Sequence, residues 1–188
     1  MDALDLLTAD HNRVRGLFTR FKEAQDSDDT ATMGELAEKI FEQLEVHTKI
    51  EEQVFYPAIH DLDELSEIVD EGVEEHHVVD VLMAEAKALD PGEPQWVAKM
   101  TVLIENVEHH AGEEETELFP QVRSITDKAT RAEWAERLEA LKADLGAPTS
   151  ADAADLSIDE LKQRASDQKI PGRSQMSREA LAATVDPR

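Results

Sequence analysis

The chain has 188 residues, of which 43 are acidic and 19 basic, for a formal charge of -24, and it contains no cysteine. That length allows one well-buried core plus a small appendage, and that charge repels nucleic acid and anionic membrane from most of the surface. Without cysteine there are no disulfides, thiolate nucleophiles or thiolate metal ligands, which leaves imidazole and carboxylate as the strong ligands, a set suited to iron, manganese or zinc.

The first helix carries an apolar stripe of Leu7, Val14, Phe18 and Phe21, with His11 filling the missing step. After a polar break at residues 25–30, the second carries Leu36, Ile40, Leu44, His47, Glu51 and Val54, and Pro57 is expected to end it. The third reads Leu65, Val69, Gly72, His76, Val79, Met83 and Ala86 before the turn residues Asp90, Pro91 and Gly92. The fourth reads Val97, Met100, Leu103, Val107, His110, Glu114 and Leu118, with Pro120 as its expected end. Four such helices with short connections predict an all-α fold, an up-down-up-down four-helix bundle with a metal site in its core.

Residues 129–145 form an expected fifth, closing helix with Trp134, Leu138, Leu141 and Leu145 on one stripe. Residues 146–154 have the composition of a flexible linker, and residues 155–188 hold two short helical segments at 157–166 and 177–184. The expected division is therefore a bundle over 1–145, a linker, and a small C-terminal module. Charge divides the chain in the same place, because seven acidic and six basic residues in 145–188 leave -1 there and -23 on residues 1–144. No run approaches the roughly 18 apolar residues of a membrane span, and the start shows no basic stretch before an apolar one, which reads as a cytoplasmic protein.

The chain repeats itself. His47, Glu51 and Pro57 recur as His110, Glu114 and Pro120, and His11 with Val14 recurs as His76 with Val79, 65 residues on. A histidine and a glutamate four apart share one helical face. Scattered surface pairs of this kind arise by chance in a Glu-rich helical protein, but both pairs and both lone histidines lie on the apolar stripes. An ionised carboxylate in such a core is costly unless a cation compensates it. His11, His47, Glu51, His76, His110 and Glu114 are thus the candidate metal ligands, enough for two ions.

His77 is the alternative to His76, but putting it on the core face would also bring in Ser66 and Asp80. His60 and His109 fall off the stripes. Glu52 and Glu115 read as rim residues or as acceptors that orient the imidazoles. Tyr56 reads first as a core residue and second as an additional ligand, and Trp96 and Trp134 as packing residues near helix starts.

On these residues the chain resembles the hemerythrin-like (HHE cation-binding) family over roughly residues 1–146. The pattern is a lone histidine, a histidine and glutamate four apart, then both again on successive helices. The resemblance implies a non-haem di-iron centre, oxo- or hydroxo-bridged, that binds oxygen or related small ligands, with carboxylates bridging the two irons. The chain departs from the oxygen-carrying hemerythrins, which have a second histidine where Gly72 stands and an aspartate five after the fourth-helix histidine. Fewer imidazoles leave more exchangeable positions, or admit a carboxylate such as Asp80, which points toward peroxide, nitric oxide or iron handling.

The tail resembles the helix-extended-helix module at the N-terminus of transcription termination factor Rho, through Ser157-Ile158-Asp159-Glu160-Leu161 and Ile170-Pro171-Gly172-Arg173-Ser174. That resemblance implies a nucleic-acid contact through Lys162, Arg164, Lys169, Arg173 and Arg178, with protein docking as the alternative. The leading expectation is a di-iron protein that binds or consumes oxygen, peroxide or nitric oxide, as an oxidoreductase if it turns over. The competing one is a non-enzymatic iron-binding or gas/redox sensor that signals through the C-terminal module.

Overall fold

A computed structural model of the protein describes residues 1–62 and 65–187, so the last residue of the expected C-terminal module lies outside it. All regular secondary structure among the described residues is helical. The long helices are α1 (Ala3–Asp26), α2 (Thr30–Ile50), α4 (Ser66–Lys87), α5 (Pro94–Glu113) and α7 (Lys128–Asp144). Short ones are α3 (Tyr56–Ile59), α6 (Phe119–Ile125), α8 (Ile158–Asp167) and α9 (Arg178–Thr184). Aspartates start three of the long helices: the side chains of Asp2, Asp29 and Asp127 accept first-turn backbone N–H groups at α1, α2 and α7.

The two prolines do not end their helices as the sequence led one to expect. Glu51–Phe55 and Glu114–Leu118 form π turns, after which the chain continues helically as α3 and α6. In an α-helix a proline clashes with the carbonyl four residues back and cannot donate to it. A wider turn relieves that conflict. The N–H groups of Tyr56 and Phe119, each immediately before a proline, bond to the carbonyls of Glu51 and Glu114, five residues back. Both π turns begin at the candidate metal-ligating glutamates.

α1 packs on α2, and α4 on α5, while α7 closes over α1 and α2. Two apolar clusters result. One holds Phe18, Phe21, Leu36, Ile40, Met83, Trp96 and Met100, and the other Leu4, Leu7, Ile50, Phe55, Ile59, Leu65, Val122, Trp134 and Leu138. The apolar stripes thus run on both sides of one polar level, at His11, His47, His76 and His110, where the ligand candidates replace core residues.

Within the expected linker, Ser150–Ala153 form a 3-10 turn with Ala153 buried. Beyond it a small third cluster joins Leu161, Ala165, Ile170, Leu181 and Val185. This segment rests on α1. Arg13, buried on α1, donates to the carbonyls of Ala183 and Thr184, and a Cβ at Gly16 would collide with the Gln168 carbonyl.

Candidate metal centre

Four helices each bring one imidazole to the polar level. His11 Nε2 lies 3.0 Å from His47 Nε2, and His76 Nε2 lies 3.1 Å from His110 Nε2. Two carboxylates sit between these pairs. Glu51 puts Oε1 3.3 Å from His47 and Oε2 3.3 Å from His76, while Glu114 Oε2 is 3.3 Å from His11 and 3.8 Å from His110. All six residues are buried. Two buried ligand groups emerge among the described residues, one of His11, His47, Glu51 and Glu114 and one of Glu51, His76 and His110, apart from a more exposed trio of Glu75, His109 and Glu113.

The outer nitrogens show what the inner ones lack. His76 Nδ1 donates to Glu52 at 2.9 Å, His110 Nδ1 to Glu75 at 2.7 Å, and His11 Nδ1 to Glu115 at 2.8 Å. A carboxylate only accepts, so in the neutral rings the hydrogen resides on Nδ1 and the Nε2 lone pairs face inward. At His76 and His110 two such lone pairs converge together with Glu51 Oε2. Both Glu51 oxygens and Glu114 Oε2 are buried without a hydrogen-bond partner among the described residues. Converging lone pairs beside unpartnered buried oxygens fit a cation. The nitrogen spacing fits as well, since two nitrogens about 2.1 Å from one ion and at right angles lie about 3.0 Å apart.

Without a cation the two carboxylates cannot ionise equally. Burial and the charge of Glu114 push the Glu51 carboxyl well up. Burial also raises Glu114, but the His11 imidazole beside it and the charge of His110 outweigh that and bring it down to about 2. Burial and the charge of His11 push the His47 imidazole well down. One carboxyl takes the proton so that the other keeps its charge.

Tyr56 belongs to this level. Its hydroxyl donates to Glu114 Oε1 at 2.9 Å and its ring stacks on His76 at 5.5 Å. Burial and the charge of Glu114 push its phenol well up, so it remains a donor. On an unbroken α-helix, nine residues from His47 amount to about two and a half turns, the opposite face. The π turn delays the helix and brings Tyr56 round. Gly72 makes the room, because a Cβ there would stand 2.9 Å from the Tyr56 hydroxyl.

The structure separates the remaining candidates. His77 and Asp80 are exposed, whereas His76 is buried. His60 pairs with Asp61 and Asp70 outside the level. His109 is exposed beside Glu113. Glu52 and Glu115 take the orienting position expected of them. Glu75 was missed, although its place directly before a lone histidine was visible in the repeat. Asp10 holds the equivalent place before His11, yet it pairs with Lys142 at 2.7 Å and Arg13 at 2.9 Å, and His47 Nδ1 has no partner among the described residues.

No helix among the described residues is long and apolar enough to cross a membrane. Residues 2–122 match the family described as hemerythrin HHE cation binding domain. The chain is also 30% identical over 145 residues to a protein of Nostoc sp. (strain PCC 7120 / SAG 25.82 / UTEX 2576) named DNA nickase, a match covering 76% of this chain and 39% of that protein. The chain thus spans about two fifths of that relative's length. No solved structure matches it.

Proposed function

The chain belongs to the hemerythrin HHE cation-binding family and is a metal-binding protein, and from that premise we propose a non-haem di-iron protein that binds or consumes a small oxygen species: oxygen, peroxide or nitric oxide. The observation that carries this reading is the pairing of four inward Nε2 atoms around two buried carboxylates. His11 and His47 would hold one ion and His76 and His110 the other, with Glu51 and Glu114 shared. Iron or manganese ranks ahead of zinc because right-angle nitrogen pairs suit six-coordination better than a tetrahedron, whose nitrogens would stand about 3.4 Å apart, and the family resemblance puts iron first.

When bound, the irons would supply electron transfer and Lewis acidity toward a small ligand. The chain supplies the rest. Glu115, Glu52 and Glu75 fix the tautomer and tilt of His11, His76 and His110. Tyr56 holds a proton next to Glu114 and ranks as a donor toward the ligand, or as a further metal ligand. Beside Tyr56, Gly72, His110 and Glu114 lies a cavity of about 20 Å³, the size of one water molecule. That volume supports a diatomic or peroxide ligand over an organic substrate.

We read α1, α2, α4 and α5 as an up-down-up-down bundle within residues 1–145, followed by a linker at 146–154 and a Rho-like module at 155–188. The pairing of α1 with α2 and of α4 with α5 supports this. A sensor reading has its own support, since Arg13, which holds the C-terminal segment, stands two residues from His11. Nucleic-acid contact through that segment has less. Arg164, Arg173 and Arg178 donate to carbonyls of their own segment, and Lys169 pairs with Glu23.

Metal analysis with an absorption spectrum of aerobically purified protein tests the proposal. About two irons per chain and visible charge-transfer bands are expected, and less than one iron after anaerobic reconstitution would overturn it. Peroxide turnover would then favour the enzyme. A ligand-dependent change in tail accessibility without turnover would favour the sensor.

A further inference from the structure

A cavity of about 300 Å³ lies away from the metal level, where the C-terminal segment meets α1 and α2. Its α1 wall is Arg13, Leu17 and Arg20, spaced four and three residues apart on one helical face, and its α2 wall is Lys39, Glu42 and Gln43. Gln168 and Asp186 close it from the C-terminal segment. That lid is held rigidly: Gln168 donates its amide to the Asp186 carbonyl at 2.7 Å and accepts the Asp186 N–H at 2.9 Å. Gly16 lets the lid seat, because a side chain there would strike the Gln168 carbonyl and stand 3.0 Å from Ile170 Cδ1.

Several of the chain's cations are spent on carboxylates, as Arg15 on Glu115, Lys22 on Glu108 and Lys87 on Glu45. Arg13 is fully engaged, on Asp10, Gln43 and the two tail carbonyls. Arg20 and Lys39, from facing helices, have no ion-pair or hydrogen-bond partner among the described residues, although Glu42 lines the same cavity. Two such cations brought from facing helices to one cavity, beside Arg13, offer a place for an anion from outside.

We propose that this cavity binds a small organic phosphate. A phosphate dianion matches the two charges, and an arginine fork suits its oxygens. The volume is that of about ten waters, too large for the phosphate group alone, at roughly 30 Å³ per water. Hydroxyl groups on the organic part meet the Gln43 amide and the Glu42 carboxylate at the rim. The site is independent of the metal centre and joins α1, α2 and the C-terminal segment through one ligand.

Calorimetric titration of the full chain with glycerol 3-phosphate at low salt tests it, with inorganic phosphate and succinate as comparisons. Saturable binding of glycerol 3-phosphate, tighter than either comparison, is expected. Arg20→Gln or Lys39→Gln should each weaken it about tenfold, the loss of one charge-assisted hydrogen bond. Arg137→Gln, an exposed cation outside the cavity, should leave it unchanged. Gly16→Leu should abolish binding by displacing the lid with both cations still present. All four variants should retain the metal content of the parent, so failure here is distinct from failure of the di-iron reading. Absence of saturable binding, binding as tight as the parent's by the Arg20→Gln and Lys39→Gln variants, or a preference for succinate would overturn the proposal.

Discussion

The half of the centre on α1 and α2 and the half on α4 and α5 present the same ligands in the same order, yet three neighbours differ. Phe119 stacks on His11 at 6.0 Å, where its counterpart Tyr56 stacks on His76 and adds a hydroxyl. Leu7 stands four residues before His11, where Gly72 precedes His76. Asp10 turns away to Lys142 and Arg13, where Glu75 turns inward to His110. The cavity beside His11 and His47 is about 10 Å³ and almost wholly apolar, against a more polar one of about 20 Å³ at Tyr56. Repetition preserves the ligands, and the neighbours make the surroundings of one half almost wholly apolar and those of the other more polar.

The strongest way to break this comparison is to remove a ligand. His47→Ala and Glu114→Ala should each take the iron content of reconstituted protein from about two per chain to one or less, the first because it halves one nitrogen pair and the second because its carboxylate lies between both pairs. His60→Ala should leave it unchanged, and equal losses in all three by elemental analysis would show that the level chosen is wrong.

The two acidic residues that precede the lone histidines should then part company. Burial pushes the Asp10 carboxyl up, but Lys142 and Arg13 outweigh it and hold the group below its ordinary value of 3.8. A group with a depressed folded value stabilises the protein above its unfolded value, and that contribution is lost as pH falls through the folded one. Asp10→Asn should therefore cost about 3–5 kcal/mol at pH 7, as for a broken buried pair, with the deficit shrinking below about pH 4 in urea unfolding. Glu75→Gln should barely change stability and should weaken metal binding about 10- to 100-fold, as expected when the acceptor behind a ligating imidazole is lost. If the two variants behave alike, the contrast drawn between the halves fails.

The smallest expected effect comes from making the halves alike. Tyr56→Phe removes the hydroxyl that Glu114 accepts from and should lower the stability of the metal-free protein by about 1–3 kcal/mol. An unchanged urea midpoint would show that the bond to Glu114 does not matter.

Helical periodicity and the internal repeat were enough to read an all-helical chain and to place His11, His47, Glu51, His76, His110 and Glu114 on inward faces, because spacing along one helix decides which side chains share a face. The choice of His76 over His77 followed from the same spacing. Pro57 and Pro120 misled, since a proline rule built on the α-helix has no term for a π turn that absorbs the conflict. Tyr56, read first as a core residue and second as an additional ligand, is buried and bonds to Glu114. Tertiary structure alone decided which carboxylate orients which imidazole, as with Glu115 and His11, 104 residues apart. It also decided that Asp10 leaves His47 for Lys142, a partner 132 residues away, and that the C-terminal segment seats on Gly16 and Arg13. Periodicity reports only the face that a side chain presents, whereas its partner depends on which helices are packed opposite, and that is settled by the fold as a whole.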